Sequence, residues 1–329
     1  MPQSGGAGHP HPVLHTEKPP LTELKSFFTD ATGGSGTYGH LLLEQSTAPF
    51  QDGIVDALRP YFESAHADAR EHFHKAVRIS LHPEAGEMGA DATYPNCLPP
   101  KTIRGLFGEV MAGMIAEAYP MVGTKSWRIP IFLFRGHGAV EDYIFDLARD
   151  PTKKREVHGR PGNDFIGLEM AADGTVTAFI AGEAKWRADL TASTMDTIMK
   201  GDGTGKGAAR VYKDNGVWND INTALPVPKG LQQMCDLLAI KDRDTFARTI
   251  LSLDEALLGK SSPPRTDLVL VAGNRSPTRP NGATLLPTAA APADYKATRP
   301  LQIVEIVLEG GEDLIKRIYT SLWVKHGGA

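Results

Sequence analysis

In the stretch GNDFIGLEMAADGTVTAFIAGEAKW, residues 162–186, Asp164 opens an apolar run that Glu183 and Lys185 close. Two carboxylates and an ammonium group suit the binding of a divalent cation and action on a phosphate or water beside it. Such groups are costly to bury unless they neutralise one another or bind something. Alternating apolar residues around Asp173-Gly174, the pair favoured in a two-residue type I′ turn, predict a hairpin of strands 164–171 and 176–185. With Ala172 facing Thr175, Asp164 falls directly opposite Glu183, their Cβ atoms roughly 4.5–5.5 Å apart, and Lys185 points to the same face. Opposed carboxylates repel, so the register calls for something cationic between them; a divalent metal resolves the conflict, and Lys185 adds a further positive charge. The plain alternative is a buried ion pair between Asp164 and Lys185.

A second carboxylate stands out upstream. In GLFGEVMAGMIA, residues 105–116, Glu109 is the one polar side chain of a helical pattern. Leu106, Phe107, Val110, Met111, Met114 and Ile115 make a broad apolar face, and Gly105, Gly108, Ala112 and Ala116 allow close approach. A helix without a solvated face is a buried one, so Glu109 is expected to be paired, neutralised or metal-bound.

Around these residues the pattern predicts a helix over 103–118, strands over 127–135, 164–171 and 176–185, and a helix over 190–200 with Asp189 as its N-cap. Two helices follow near 229–239 and 243–258, then strands at TDLVLVAG and LQIVEIVLEG and a closing helix at GEDLIKRIYTSLW. Earlier, DGIVDALRPYFESAHADAREHFHKAV reads as a helix and VRISLH as a short strand. His66, His72 and His74 lack the HExxH spacing and are expected in solvated or capping roles. Residues 1–20 read as a flexible leader, 21–98 as an α/β extension, and 99–329 as the main domain. The proline-, alanine- and threonine-rich residues 274–300 are expected to form a surface insertion or flexible loop.

The 329 residues carry a net charge of −4, so a phosphate-binding surface must be a local patch or be completed by a partner. RDPTKKREVHGR, residues 149–160, is one candidate through Lys153, Lys154, Arg155 and Arg160; Arg187, Lys206 and Arg210 are others. Trp186 should face away from Lys185 and pack in the core, and Trp218 reads as a core or interface anchor. Only Cys97 and Cys235 are present, which supports neither a disulfide framework nor a cysteine zinc site. With no signal-peptide pattern and no apolar run of membrane-spanning length, the expected location is the cytoplasm. GDGTGKG is not a P-loop, because Gly207 stands where Ser or Thr is needed.

Asp164 followed by Glu183-Ala184-Lys185 at the end of the next strand resembles the PD-(D/E)xK nuclease superfamily, the restriction-endonuclease-like fold. That resemblance implies an αβββαβ core, a central mixed sheet flanked by helices, over roughly residues 100–273. It implies that Asp164, Glu183, Glu109 and the Ala184 carbonyl hold Mg²⁺, or Mn²⁺ in its place, and that Lys185 acts on the attacking water. Asn163 stands where the family often has proline. The stretches RGLFGE, GNDFIGLE and IAGEAKW are further similar to the nuclease subunit of Hachiman anti-phage defence systems, which implies a helicase partner and DNA as the favoured substrate. A stand-alone restriction endonuclease, or a nuclease-like module that binds nucleic acid or a partner protein without cutting, is the alternative.

Overall fold

Two near-continuous apolar runs, β7 (Arg265–Arg275) and β8 (Leu301–Leu308), form the centre of the molecule, and Leu268 to Ala272 and Ile303 to Val304 have no exposed surface. Strands of that composition are stable where both faces of a parallel sheet are covered. The computed structural model describes residues 14–46, 52–77, 93–123, 126–136, 138–149, 152, 163–205, 210–213 and 215–324. Its core is a six-stranded mixed sheet flanked by helices. At one edge β1 (Phe28–Ser35) pairs antiparallel with β2 (Tyr38–Gln45), which runs parallel to β8. From β8 the order continues through β7 and β4 (Val176–Leu190), both parallel, to β3 (Phe165–Met170), antiparallel at the other edge. Two short strands, β5 (Gly203–Thr204) and β6 (Val211–Tyr212), pair antiparallel in a separate sheet.

One face is covered by α1 (Leu21–Phe27), α2 (Asp52–Val77), α3 (Pro100–Ala118), α4 (Gly138–Arg149) and α9 (Gly311–Ser321), where Phe107 and Met111 share a core with Leu268, Leu270 and Ala272. The opposite face carries two separate apolar clusters. Helices α5 (Ala192–Lys200) and α6 (Val217–Thr223) pack with Leu190, Val269 and Val271, and Trp218 is buried among them. Helices α7 (Leu231–Asp242) and α8 (Ala247–Leu257) pack with Ile166, Leu168, Phe179 and Ala181. Each fully buried Leu or Ile side chain in these layers stabilises the fold by roughly 1.5–3 kcal/mol.

Several sequence expectations need correction. Residues 127–135 do not form a strand: Arg128 alone bridges to Leu168, and the chain closes into a 3-10 turn at Leu133–Gly136. Pro130 has no N–H to give to a ladder, and its carbonyl instead accepts the His15 amide. The N-cap of α5 is Thr191, whose hydroxyl accepts from the Thr194 N–H at 3.1 Å, because β4 runs on past Asp189. The hairpin turn has three residues rather than two, with Gly174 at φ +86° and Ala171 paired to Thr175.

His66 is fully buried rather than solvated, with its ring nitrogens 3.0 and 3.1 Å from the Tyr94 and Tyr319 hydroxyls. His74 Nε2 accepts the Tyr94 N–H at 3.0 Å. Residues 274–300 lack helix and strand, apart from the end of β7, yet are tied down. Arg279 pairs with the fully buried Glu305 at 2.7 Å, and Arg299 and Tyr295 reach the fully buried Asp267 at 2.8 and 2.9 Å. Two buried carboxylates on the central strands need such partners, and this segment supplies them. The strand expected at VRISLH lies, beyond Val77, outside the described residues.

Candidate active site

β4 outruns its neighbour. The last β3–β4 pair is Phe165 with Gly182, sealed by the Asp164 N–H donating to the Gly182 carbonyl at 2.9 Å. Beyond that point β4 continues to Leu190 with β7 as its ladder partner. Gly182 is required where β7 comes close, since a Cβ there would lie 1.9 Å from the Leu268 carbonyl oxygen.

Alternation then sorts the next residues. Ala184 and Trp186 enter the core shared with α3, so Glu183 and Lys185 point to the opposite face. Along β4 they lie between Ala181, which belongs to the α7/α8 cluster, and Leu190, which belongs to the α5/α6 cluster. The charged residues therefore occupy the seam between two apolar clusters.

Asp164, Glu183 and Lys185 come together there. The Lys185 ammonium donates to Glu183 Oε2 at 2.7 Å and to Asp164 Oδ2 at 3.3 Å, and Asp164 Oδ2 also accepts the Ala184 N–H at 2.8 Å. Glu183 is 8% exposed. Burial, and then the Asp164 charge, push its carboxyl up to about 8, against the pull of Lys185. Burial alone would lower the Lys185 pKa, but the two acids and their hydrogen bonds outweigh it and hold the amine above the ordinary lysine value. These two directions agree if, at neutral pH, the carboxylate pair keeps one proton beside a charged lysine.

Glu109 is placed differently. It lies on α3, which packs on the Ala184 side of the sheet: a Cβ on Gly108 would sit 3.4 Å from the Ala184 Cβ. Glu109 is half-buried, and its charge helps raise the pKa of the Tyr94 and Tyr319 hydroxyls after burial, the larger cause. Among the described residues no group of three or more His, Cys, Asp or Glu side chains is arranged to hold one metal ion. Arg187 is exposed at the far end of β4, with Nη1 donating to the Trp186 carbonyl at 2.8 Å. Arg210 stacks its guanidinium over the Tyr212 ring at 5.1 Å. Lys153, Lys154, Arg155, Arg160 and Lys206 lie outside the described residues.

The donor set nevertheless fits magnesium or manganese. Mg²⁺ is commonly held by one or two carboxylates and completes its shell with waters and substrate phosphates. Asp164 and Glu183 are two such carboxylates, converging at the edge where β3 has ended, and a cation there would offset the burial and the Asp164 charge that keep Glu183 protonated. In a strand the amide and carbonyl of one residue point the same way, so the Ala184 carbonyl is directed with its N–H toward Asp164.

What braces this edge from behind was not legible in the residue pattern. Trp186 donates its indole N–H to Glu312 at 2.9 Å, and nothing in the first turn of α9 marks Glu312 as a partner of β4.

The chain matches no protein-family model and no curated protein sequence. Among the described residues no helix is long and apolar enough to cross a membrane.

Proposed function

We propose that the protein is a metal-dependent nuclease with a restriction-endonuclease-like core, hydrolysing phosphodiester bonds, with DNA the favoured substrate. The observation that carries this reading is the convergence of Asp164 and Glu183 on the Lys185 ammonium where β4 runs beyond its last pair with β3. The order α3, the Arg128 bridge, β3, β4, α5 and β7 supports it, since it follows the αβββαβ series with its first strand reduced to one bridging residue. Asp164, Glu183 and the Ala184 carbonyl would hold Mg²⁺ or Mn²⁺, with Glu109 the fourth group implied by the family resemblance. The bound ion would lower the pKa of a water and offset charge on the phosphate.

The remaining work falls to this chain's own groups. Lys185, kept charged by its two acids, donates from Nζ to a phosphate oxygen or to the attacking water, fixing its direction and stabilising charge that builds up in the transition state. Asp164 is oriented by the Ala184 amide, which donates to its Oδ2. The walls of the seam limit water around the reacting phosphate. The role of defence effector acting with a helicase rests on the resemblance of RGLFGE, GNDFIGLE and IAGEAKW to the Hachiman nuclease subunit.

The test is cleavage of plasmid, linear duplex and single-stranded DNA and of RNA in Mg²⁺, Mn²⁺ and EDTA. The expected result is cleavage with metal, none with EDTA, and none in Glu183→Ala or Lys185→Ala at unchanged thermal stability to within a few degrees. Cleavage retained by either variant refutes the assignment. The placement of Glu109 on α3, which packs on the Ala184 side of the sheet and not on the Glu183 side, favours one second reading, a nuclease-like module that binds without cutting. Salt-sensitive binding with no cleavage in any metal would establish it.

A further inference from the structure

The stretch of β4 that bears Glu183 and Lys185 keeps β7 as its ladder partner, but among the described residues no strand pairs with its other edge, so contacts from the α3 face share in holding it in place. Behind it, on the α3 face, Trp186 is 7% exposed and meets the Phe107 ring edge-on, with centroids 5.7 Å apart at 89°. Its indole N–H donates to Glu312 Oε1 at 2.9 Å, and Glu312 Oε2 accepts from Arg104 Nε on α3, also at 2.9 Å. The start of α9 is itself pinned to the sheet, because the Gly311 N–H donates to Asn274 Oδ1 on β7 at 2.7 Å. Gly311 admits the indole: a Cβ there would lie 2.2 Å from the Trp186 ring. Glu312 sits in the first turn of its helix, where free amides favour a carboxylate.

We infer that Glu312 is a positioning residue which, through the Trp186 indole, clamps β4 beyond its last pair with β3 and so fixes Lys185 and Glu183 on its other face. The hydrogen bond joins three elements at one point: β4, α9 and, through Arg104, α3. The Arg104–Glu312 pair is exposed on both sides and contributes little by itself. The half-buried, charge-assisted bond from Trp186 carries the clamp. Its consequence for turnover rests on the nuclease reading above; its effect on β4 does not.

Two measurements on the full chain separate these layers, using Glu312→Ala, Glu312→Gln and Trp186→Phe. The glutamine keeps a carbonyl oxygen for the indole to donate to, whereas phenylalanine keeps a ring and removes the donor. Amide hydrogen exchange in the metal-free protein is expected to quicken about tenfold across residues 183–187 in the alanine and phenylalanine variants, as local opening becomes easier. Residues 178–181, still paired with β3, should stay as in the parent, and the glutamine variant should exchange nearly as slowly as the parent. Unchanged exchange over 183–187 in both Glu312→Ala and Trp186→Phe overturns the clamp, as does glutamine failing to restore slow exchange.

In the cleavage assay the same two variants should lose about tenfold or more in kcat, with KM within about twofold, as misplacement of a reacting group does. A rise in KM alone overturns the positioning role. If the parent cleaves nothing, the nuclease reading fails while the exchange result still decides the clamp.

Discussion

Glu183→Gln should change how stability depends on pH in the metal-free protein. In the folded chain the Glu183 carboxyl titrates at about 8 instead of 4.5, through burial and then the Asp164 charge. Between those values the folded state keeps a proton that the unfolded state has released, so stability from this site falls as pH rises. From pH 5 to pH 8 the difference amounts to about 3–4 kcal/mol, from 1.36 kcal/mol for each pH unit between 4.5 and 8, less the parts that lie below pH 5 and above pH 8. Glutamine cannot titrate, so its variant should lack this decline. Over a chain of this size the same difference corresponds to about 5 °C in midpoint temperature. Urea unfolding of parent and variant in EDTA at pH 5, 6, 7 and 8 measures it. Adding Mg²⁺ at pH 8 should recover most of the lost stability in the parent and little in the variant, because a bound cation favours the carboxylate. Parallel pH profiles in EDTA would refute the electrostatic account of the site, and equal Mg²⁺ stabilisation of both proteins would refute its role as a metal ligand.

Other perturbations probe the frame. Burial pushes the His66 ring down to about 3, so stability from this site is complete above the unfolded value near 6.5 and is lost as pH falls; by pH 4 the loss reaches about 3 kcal/mol. An imidazole resonance titrating near 6.5 in the folded protein would contradict this, and His66→Gln should flatten the acid limb of the stability profile. Arg279→Met leaves the Glu305 carboxylate without its guanidinium in a fully buried site, at a cost of about 3–5 kcal/mol by urea denaturation; a loss below 1 kcal/mol would show that His40 and the Leu285 and Leu286 amides suffice. Gly174→Ala, at φ +86°, should cost about 1 kcal/mol in thermal unfolding, with Gly174→Asn costing less.

The long periodic elements were legible because their burial pattern is their sequence pattern: α3, β7, β8 and α9 fall within a few residues of where their apolar spacing puts them. What escaped was whatever depends on a distant partner. Asp267 and Glu305 look in sequence like polar interruptions of two strands. Only the fold shows that Arg279, Tyr295 and Arg299 return from a proline-rich segment to meet them. His66 likewise sits in a helix otherwise rich in polar residues, and its two tyrosines lie 28 and 253 positions away. Residues 127–135 misled in the opposite sense, since an apolar run of strand-like length can be buried on all sides without joining a ladder.

The hairpin joins these two outcomes. Its turn was misjudged, for Ala172 belongs to the loop and Ala171 faces Thr175. Nevertheless, from Glu169 with Ala178 out to Phe165 with Gly182, every pair is the one that the two-residue turn required. The register shifts between Glu169 and Met170, where Thr177 is the extra residue on β4, and this bulge compensates for the longer loop. Packing explains why the compensation exists. Ile166 and Leu168 must share a face with Ala181 and Phe179 to enter the α7/α8 cluster, and a slip of one residue would turn one set or the other out of it. The same alternation carries Asp164 and Glu183 onto one face. The core beneath the hairpin, more than its turn, therefore brings the two acids together, so changes at Gly174 should lower stability while leaving the Asp164–Lys185–Glu183 geometry as it is.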